Sequence, residues 1–140
     1  MNWITCVLIA CLLAPISDLR VTYLSQDENK ITKMYDALKS NKLRSADEEC
    51  YFAVFECLQA KYSYNPYTKF TYFNNGYTRL NTLITKHKIN AEYRYHRIMI
   101  EKNAPSFLIE KNHFKEDKEV IKRYAIKDHP LYVEMVKTIE

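Results

Sequence analysis

One glycine and four prolines are all that this chain of 140 residues contains of the two strongest turn formers. A β-fold of that length needs many tight turns, and those turns draw on Gly and Pro for their backbone geometry. The scarcity excludes an all-β architecture. Long breaker-free stretches rich in Lys, Glu, Leu, Ala and Tyr make the expected fold class all-α. Signatures of chemistry are missing as well: there is no glycine-rich phosphate loop, no G-x-S-x-G elbow and no H-E-x-x-H pair. Nor is there a basic stripe. The net charge of +4 comes from 21 basic and 17 acidic residues, and no more than two basic residues are ever adjacent, which argues against nucleic-acid contact. Apolar residues make up 47% of the chain, enough for one packed domain.

Charge is also absent from the beginning. "NWITCVLIACLLAPIS" carries no charged side chain, and Asp18 is the first. The run suits the apolar region of a secretory signal and is too short to span a bilayer. This predicts a leader over residues 1–17, a single domain over 18–140, and export to the periplasm or cell envelope. "LIAC", Leu8 to Cys11, fits the box that precedes a lipid-modified cysteine, so membrane attachment is expected only if Cys11 is lipidated. Cys6 and Cys11 fall in this leader. Cys50 and Cys57 stand seven apart on a predicted helix, about 10 Å in rise, too far to bridge each other. Their spacing matches no zinc pattern, and they read as small core residues.

Helical periodicity marks segments at 17–26 and 27–40, with a break around Gln26 and Asp27. Ser45 opens a third helix as a capping-box residue with Glu48 reaching back. "CYFAVFECLQAKY" is apolar nearly all round and belongs in the middle of a bundle. Asn65 and Pro66 end that helix and start the next. A further helix begins at Asn90, with Ala91, Tyr95, Ile98 and Met99 inward; Asn103 is expected to close it in a left-handed cap ahead of Pro105. The segment 114–127 should bury Phe114, Val120, Ile121 and Tyr124. The last segment should cap at Asp128 and bury Tyr132, Met135, Val136 and Ile139. Short connections make neighbours antiparallel, giving hairpins of about six helices in a tetratricopeptide-like stack after the leader.

Seven of the sixteen residues in "YSYNPYTKFTYFNNGY", 62–77, are aromatic. Phe70, Phe73, Tyr77, Leu80 and Ile84, reinforced by Leu83, fall on one helical face and predict core. Gly76 lies on that side and predicts close approach of a neighbouring helix. Tyr62, Tyr64 and Tyr67 leave the stripe and crowd the Asn65–Pro66 turn. With Lys61, Lys69, Arg94 and Arg97 they form a candidate partner-binding patch, since Tyr and Arg are favoured interface anchors. The alternative has the tyrosines cover the turn and bond backbone carbonyls, while Arg94 and Arg97 pair with Glu116 or Asp117. Glu92 and His96, one turn apart, could share a metal only with two further ligands; otherwise they are an exposed helix pair. Cys57, in apolar surroundings, makes a poor nucleophile.

Ala60, Lys61, Asn65, Pro66, Lys69, Phe73 and Gly76, followed by Glu92, Arg94 and Arg97, then Pro105, Phe107 and Leu108, then Glu116, Asp117 and Lys118, form a set over roughly residues 46 to 122. This set resembles a group of small, exported, uncharacterised helical proteins of the Bacteroidota. The chain departs from that pattern at Ile109-Glu110, where Gly-Tyr would follow Leu108. The resemblance implies tetratricopeptide-type hairpins and export, and it implies no chemistry. The function expected is therefore non-catalytic: an exported protein, without metal or cofactor, that binds a protein or peptide through its Tyr/Arg-rich turn. The alternative is an intracellular basic helical module that contacts nucleic acid.

Overall fold

The computed structural model describes residues 15–41 and 44–140. Most of the expected leader, with Cys6 and Cys11, lies outside the described residues, while Ile16 and Ser17 already belong to the first helix. Seven α-helices follow among the described residues: α1 (Ile16–Ser25), α2 (Glu28–Ser40), α3 (Ala46–Tyr62), α4 (Pro66–Lys86), α5 (Ala91–Asn103), α6 (Phe114–Tyr124) and α7 (Tyr132–Ile139). A single 3-10 turn, Ser106–Leu108, separates α5 from α6, and no strand occurs among the described residues. None of the described helices is long and apolar enough to cross a membrane.

Side-chain caps set several helix starts. Asp27, Ser45, Asn65 and Asn90 each accept a backbone N–H from the first turn of α2, α3, α4 and α5 respectively, satisfying donors that a helix start leaves without partners. At Ser45 only half of the capping box forms: the hydroxyl accepts from the Glu48 N–H, while Glu48 Oε2 is buried without a hydrogen-bond partner. Between α1 and α2, Gln26 takes the left-handed conformation at φ 51°, the only described non-glycine residue with positive φ. Asn103 does not close α5 that way. It stays helical, its amide donates to the Met99 carbonyl, and Ala104 leaves in extended geometry.

From α2 to α6 each helix packs against the next, antiparallel where two contacts fix the direction. Thr32 pairs with Gln59 and Tyr35 with Glu56 across α2 and α3. Gly76 meets Ala53 and Cys57 across α3 and α4. Tyr77 reaches Glu101, and Arg97 reaches Asn81, across α4 and α5. Arg94 and Arg97 hold Asp117 across α5 and α6. α3 is central as its apolarity predicts, with every residue from Cys50 to Cys57 buried. Both of those cysteines are free thiols in the core, and burial pushes them well above the ordinary thiol range.

The second central helix is α5, which its polar composition hides. Residues 91–98 are all buried, including Glu92, Arg94, His96 and Arg97. Helix α6 stops at Tyr124, three residues short of the expected end, and buries Ile121 and Asp117 while Phe114 and Tyr124 stay exposed. Helix α7 begins at Tyr132 with no side-chain cap. Asp128 is spent in a turn in which His129 N–H bonds the Ile126 carbonyl. Within it Met135 is fully buried, as is Leu131 just before it; Tyr132, Val136 and Ile139 are only half-buried.

Candidate functional site

The α3–α4 turn is built by Asn65, whose side-chain oxygen accepts from both Tyr67 N–H (2.9 Å) and Thr68 N–H (3.2 Å), with Pro66 fixing the first helical residue. The turn holds a row of large rings in solvent. Tyr64 is 99% exposed, Tyr67 85% and Phe70 56%. Phe70 was expected inside with Phe73. The α4–α5 hydrogen bonds run from Tyr77–Glu101 to Asn81–Arg97, α5 ends at Asn103, and Phe70 lies two turns nearer the start of α4 than Tyr77, beyond that paired region. Tyr62 behaves differently from its neighbours: half-buried, it packs on the core edge beside the start of α2. Burial and the nearby Glu28 and Asp27 carboxylates raise its phenol above the ordinary value. Lys61 and Lys69 are exposed.

Arg94 and Arg97 do not join this patch. They are 6% and 4% exposed and point toward α6. Arg97 Nε and Nη2 grip Asp117 at 2.8 and 2.6 Å, and Arg94 Nη1 reaches Asp117 at 2.9 Å and Glu116 at 2.9 Å. Arg94 also donates to the Lys88 carbonyl, tying down the α4–α5 turn. Burial alone would lower the Arg97 guanidinium; Asp117 overrides it and raises it. These are bidentate, charge-assisted contacts with no open face for a partner. The candidate cationic rim is thus reduced to Lys61 and Lys69. Of the six residues singled out in the sequence, the structure leaves Tyr64, Tyr67 and Lys69 exposed, with Lys69 on the other side of α4 from Tyr67, and places Tyr62 at the core edge.

A second cluster lies under α1. The buried Glu92 carboxylate receives Arg20 Nε (2.9 Å) and Nη2 (2.8 Å), Tyr51 Oη (2.6 Å) and His129 Nε2 (3.2 Å). His129 Nδ1 accepts the Leu131 N–H, which assigns the imidazole proton to Nε2 and makes the ring a donor to Glu92. Burial would raise the Glu92 carboxyl, but Arg20, His129 and Tyr51 hold it well below the usual carboxylate range. One turn on, His96 is fully buried among Tyr23, Tyr51 and Tyr95, with ring centroids 4.7 to 5.0 Å away. Neither ring nitrogen has a hydrogen-bond partner, and burial lowers its pKa to about 4. Glu92 and His96 are therefore neither exposed nor paired as the spacing suggested. A carboxylate with both oxygens engaged by strong donors is a poor base, and a sealed imidazole cannot reach a substrate. This cluster joins α1, α3, α5 and the loop before α7.

Among the described residues no group of three or more His, Cys, Asp or Glu side chains is placed to hold a metal ion. Sequence reasoning missed Arg20 and His129 as partners of Glu92, because they come from segments 72 and 37 residues away. The i, i+3 spacing of Arg94 and Arg97 with the adjacent acids at 116 and 117 was the legible signal for the other network.

Among the described residues the molecule is thus all-helical, with polar networks facing inward; three of its exposed aromatic side chains, Tyr64, Tyr67 and Phe70, neighbour one another at the α3–α4 turn, and another, Phe107, is exposed in the 3-10 turn after α5. No protein family, curated protein or solved structure matches the chain.

Proposed function

We propose that this is a non-catalytic binding protein that docks a protein or peptide partner on the aromatic turn between α3 and α4. The single observation that carries the reading is the row Tyr64, Tyr67 and Phe70, held in water by a well-capped turn on a rigid hairpin. Three neighbouring large rings left exposed are costly unless something covers them, and covering each would contribute about 1.5–3 kcal/mol. Tyr and Phe carry few rotatable bonds, so they lose little freedom on docking. Lys61 and Lys69, close to the turn in sequence, are exposed as well.

The finer reading belongs to the same proposal. The α3, α4 and α5 hairpins are tetratricopeptide-like, the group of Bacteroidota proteins is where the chain's resemblance points, and residues 1–17 direct export to the envelope, where the partner resides. Placing a photo-crosslinking residue at Thr68, in the native organism, should yield one discrete adduct. The adduct should vanish in a Y64A/Y67A/F70A variant whose helical circular dichroism is unchanged. An adduct that survives this triple replacement, or one formed equally from Val133 on α7, removes the aromatic turn as the docking site.

A further inference from the structure

Three of the four histidines are accounted for by their surroundings. His96 is sealed with both nitrogens unpartnered, His129 gives its one N–H to Glu92, and His87 is exposed and unconnected to any carboxylate among the described residues. His113, at the start of α6, differs. The Glu101 carboxylate in the last turn of α5 takes its backbone N–H on Oε2 at 2.8 Å and its Nδ1 on Oε1 at 2.5 Å. Oε1 also accepts the Tyr77 hydroxyl at 2.6 Å, from a ring that stacks on Phe73 with centroids 5.4 Å apart. A carboxylate only accepts, so the imidazole proton is on Nδ1 and the lone pair on Nε2. That nitrogen has no partner among the described residues and, unlike the two nitrogens of His96, is open to solvent. The grip is more than a helix start needs. One bond to the backbone N–H would satisfy that donor, and the His113 side chain itself caps nothing in α6. Two bonds to the same residue instead fix how the ring is turned.

We infer that His113 Nε2 is a phosphoryl acceptor, a site of covalent modification whose ring is positioned by Glu101 and Tyr77. The inference goes beyond the docking reading and does not depend on it. The donor is a small activated phosphoryl compound, a phosphoramidate or an acyl phosphate. The Nε2 lone pair forms the new P–N bond, the bond from phosphorus to the donor's nitrogen or oxygen breaks, and the leaving group departs with that electron pair. The ring keeps its Nδ1 proton, and the positive charge it gains develops against a carboxylate already in place. An orienting carboxylate on one nitrogen raises the basicity of the other. Burial and Glu101 raise the Tyr77 phenol above its ordinary value, so it stays a donor and holds the carboxylate still. Phosphoryl transfer asks of a protein a positioned nucleophile and charge stabilisation more than covalent chemistry of its own. The start of α6 beside the ring, where the Lys115 and Glu116 N–H groups have no acceptor among the described residues, adds partial positive charge. That charge suits an anionic phosphoryl group over a neutral acyl one.

The test incubates the full chain with potassium phosphoramidate and follows each histidine by peptide mass spectrometry. His113 should gain a phosphoryl group about tenfold faster than His87, although His87 is the more exposed of the two. Nitrogen-15 NMR of the parent should show His113 in the Nδ1–H tautomer. In E101Q the amide can donate to Nδ1 and move the proton to Nε2. That variant should change the tautomer and bring the His113 rate down to that of His87, with helical circular dichroism unchanged. An Nε2–H tautomer in the parent, His87 modified as fast as His113, or a folded E101Q variant as reactive as the parent would each overturn the inference. The first two are read on the parent, so they decide even where E101Q does not fold. Diethyl pyrocarbonate, an acyl donor, is the parallel arm. If it singles out His113 while phosphoramidate does not, the site is one for acyl groups and the phosphoryl inference falls.

Discussion

Gly76 sits at a close approach of α4 to α3. A Cβ at that position would stand 2.6 Å from the Ala53 carbonyl oxygen, 2.6 Å from Cys57 Sγ and 2.8 Å from Cys57 N. Two of those atoms are backbone and cannot turn aside. The helix accepts a glycine, at a cost of about 1 kcal/mol relative to alanine, because no other residue lets the two axes come so near. Gly76→Ala should therefore destabilise the protein despite its better helix propensity, by about 1–3 kcal/mol, the usual range for overpacking. Urea unfolding of the two proteins measures it; a variant as stable as the parent would mean that α4 shifts along α3 at no cost. The close approach could be read from a lone glycine inside a helical stripe. The identity of the atoms it meets could not.

At the scale of the helix, the cap residues decide where each element begins, and one of them also presents the candidate site. Asn65 accepts two N–H groups and so fixes the direction in which Tyr64 and Tyr67 leave the turn. Asn65→Ala should cost about 1 kcal/mol of stability. It should also loosen the exposed row, which amide hydrogen exchange at Tyr67 and Thr68 would register as lost protection while α6 and α7 exchange as before. Unchanged exchange at those two amides would show that Pro66 and packing alone hold the turn. These starts were legible because Ser, Asn and Asp side chains act locally. The ends of α5 and α6 were less so: Asn103 and residues 125–127 had plausible local roles, and tertiary contacts chose otherwise.

Across the whole molecule, the core holds a pH-sensitive element. His96 is buried in an aromatic cage with no hydrogen-bond partner, and burial lowers it from 6.5 to about 4. Glu92, Arg20 and His129 are the charged or titratable groups acting on it besides the tyrosines. In that range the unfolded chain takes up a proton that the folded protein refuses, so stability falls as pH drops from about 6.5 to 4, by about 3 kcal/mol in all. Glu92, depressed by its donors, adds a further loss as pH falls below the ordinary carboxylate range. His96→Phe should flatten the upper part of this profile and leave the lower part in place. Denaturation midpoints at pH 7, 5.5 and 4.5 check it, and an unaltered slope in the variant would assign the dependence to other groups.

The sequence by itself determined the helical class, the order of the elements, the central place of α3 and the crossing at Gly76. Those depend on apolar periodicity, on turn chemistry and on a missing Cβ, all of which act within a few residues. It also pointed to the aromatic turn, although not to Phe70 as part of it. Only the tertiary structure decided that α5 is the second core helix. Arg94, Arg97, Glu92 and His96 look like a solvated face in one dimension, and they can be buried because Asp117, Arg20, Tyr51 and His129 arrive from distant segments to share their charges or enclose them. A buried charge is tolerable only with its partners in place. Partners brought together by folding leave no local mark in the order of residues.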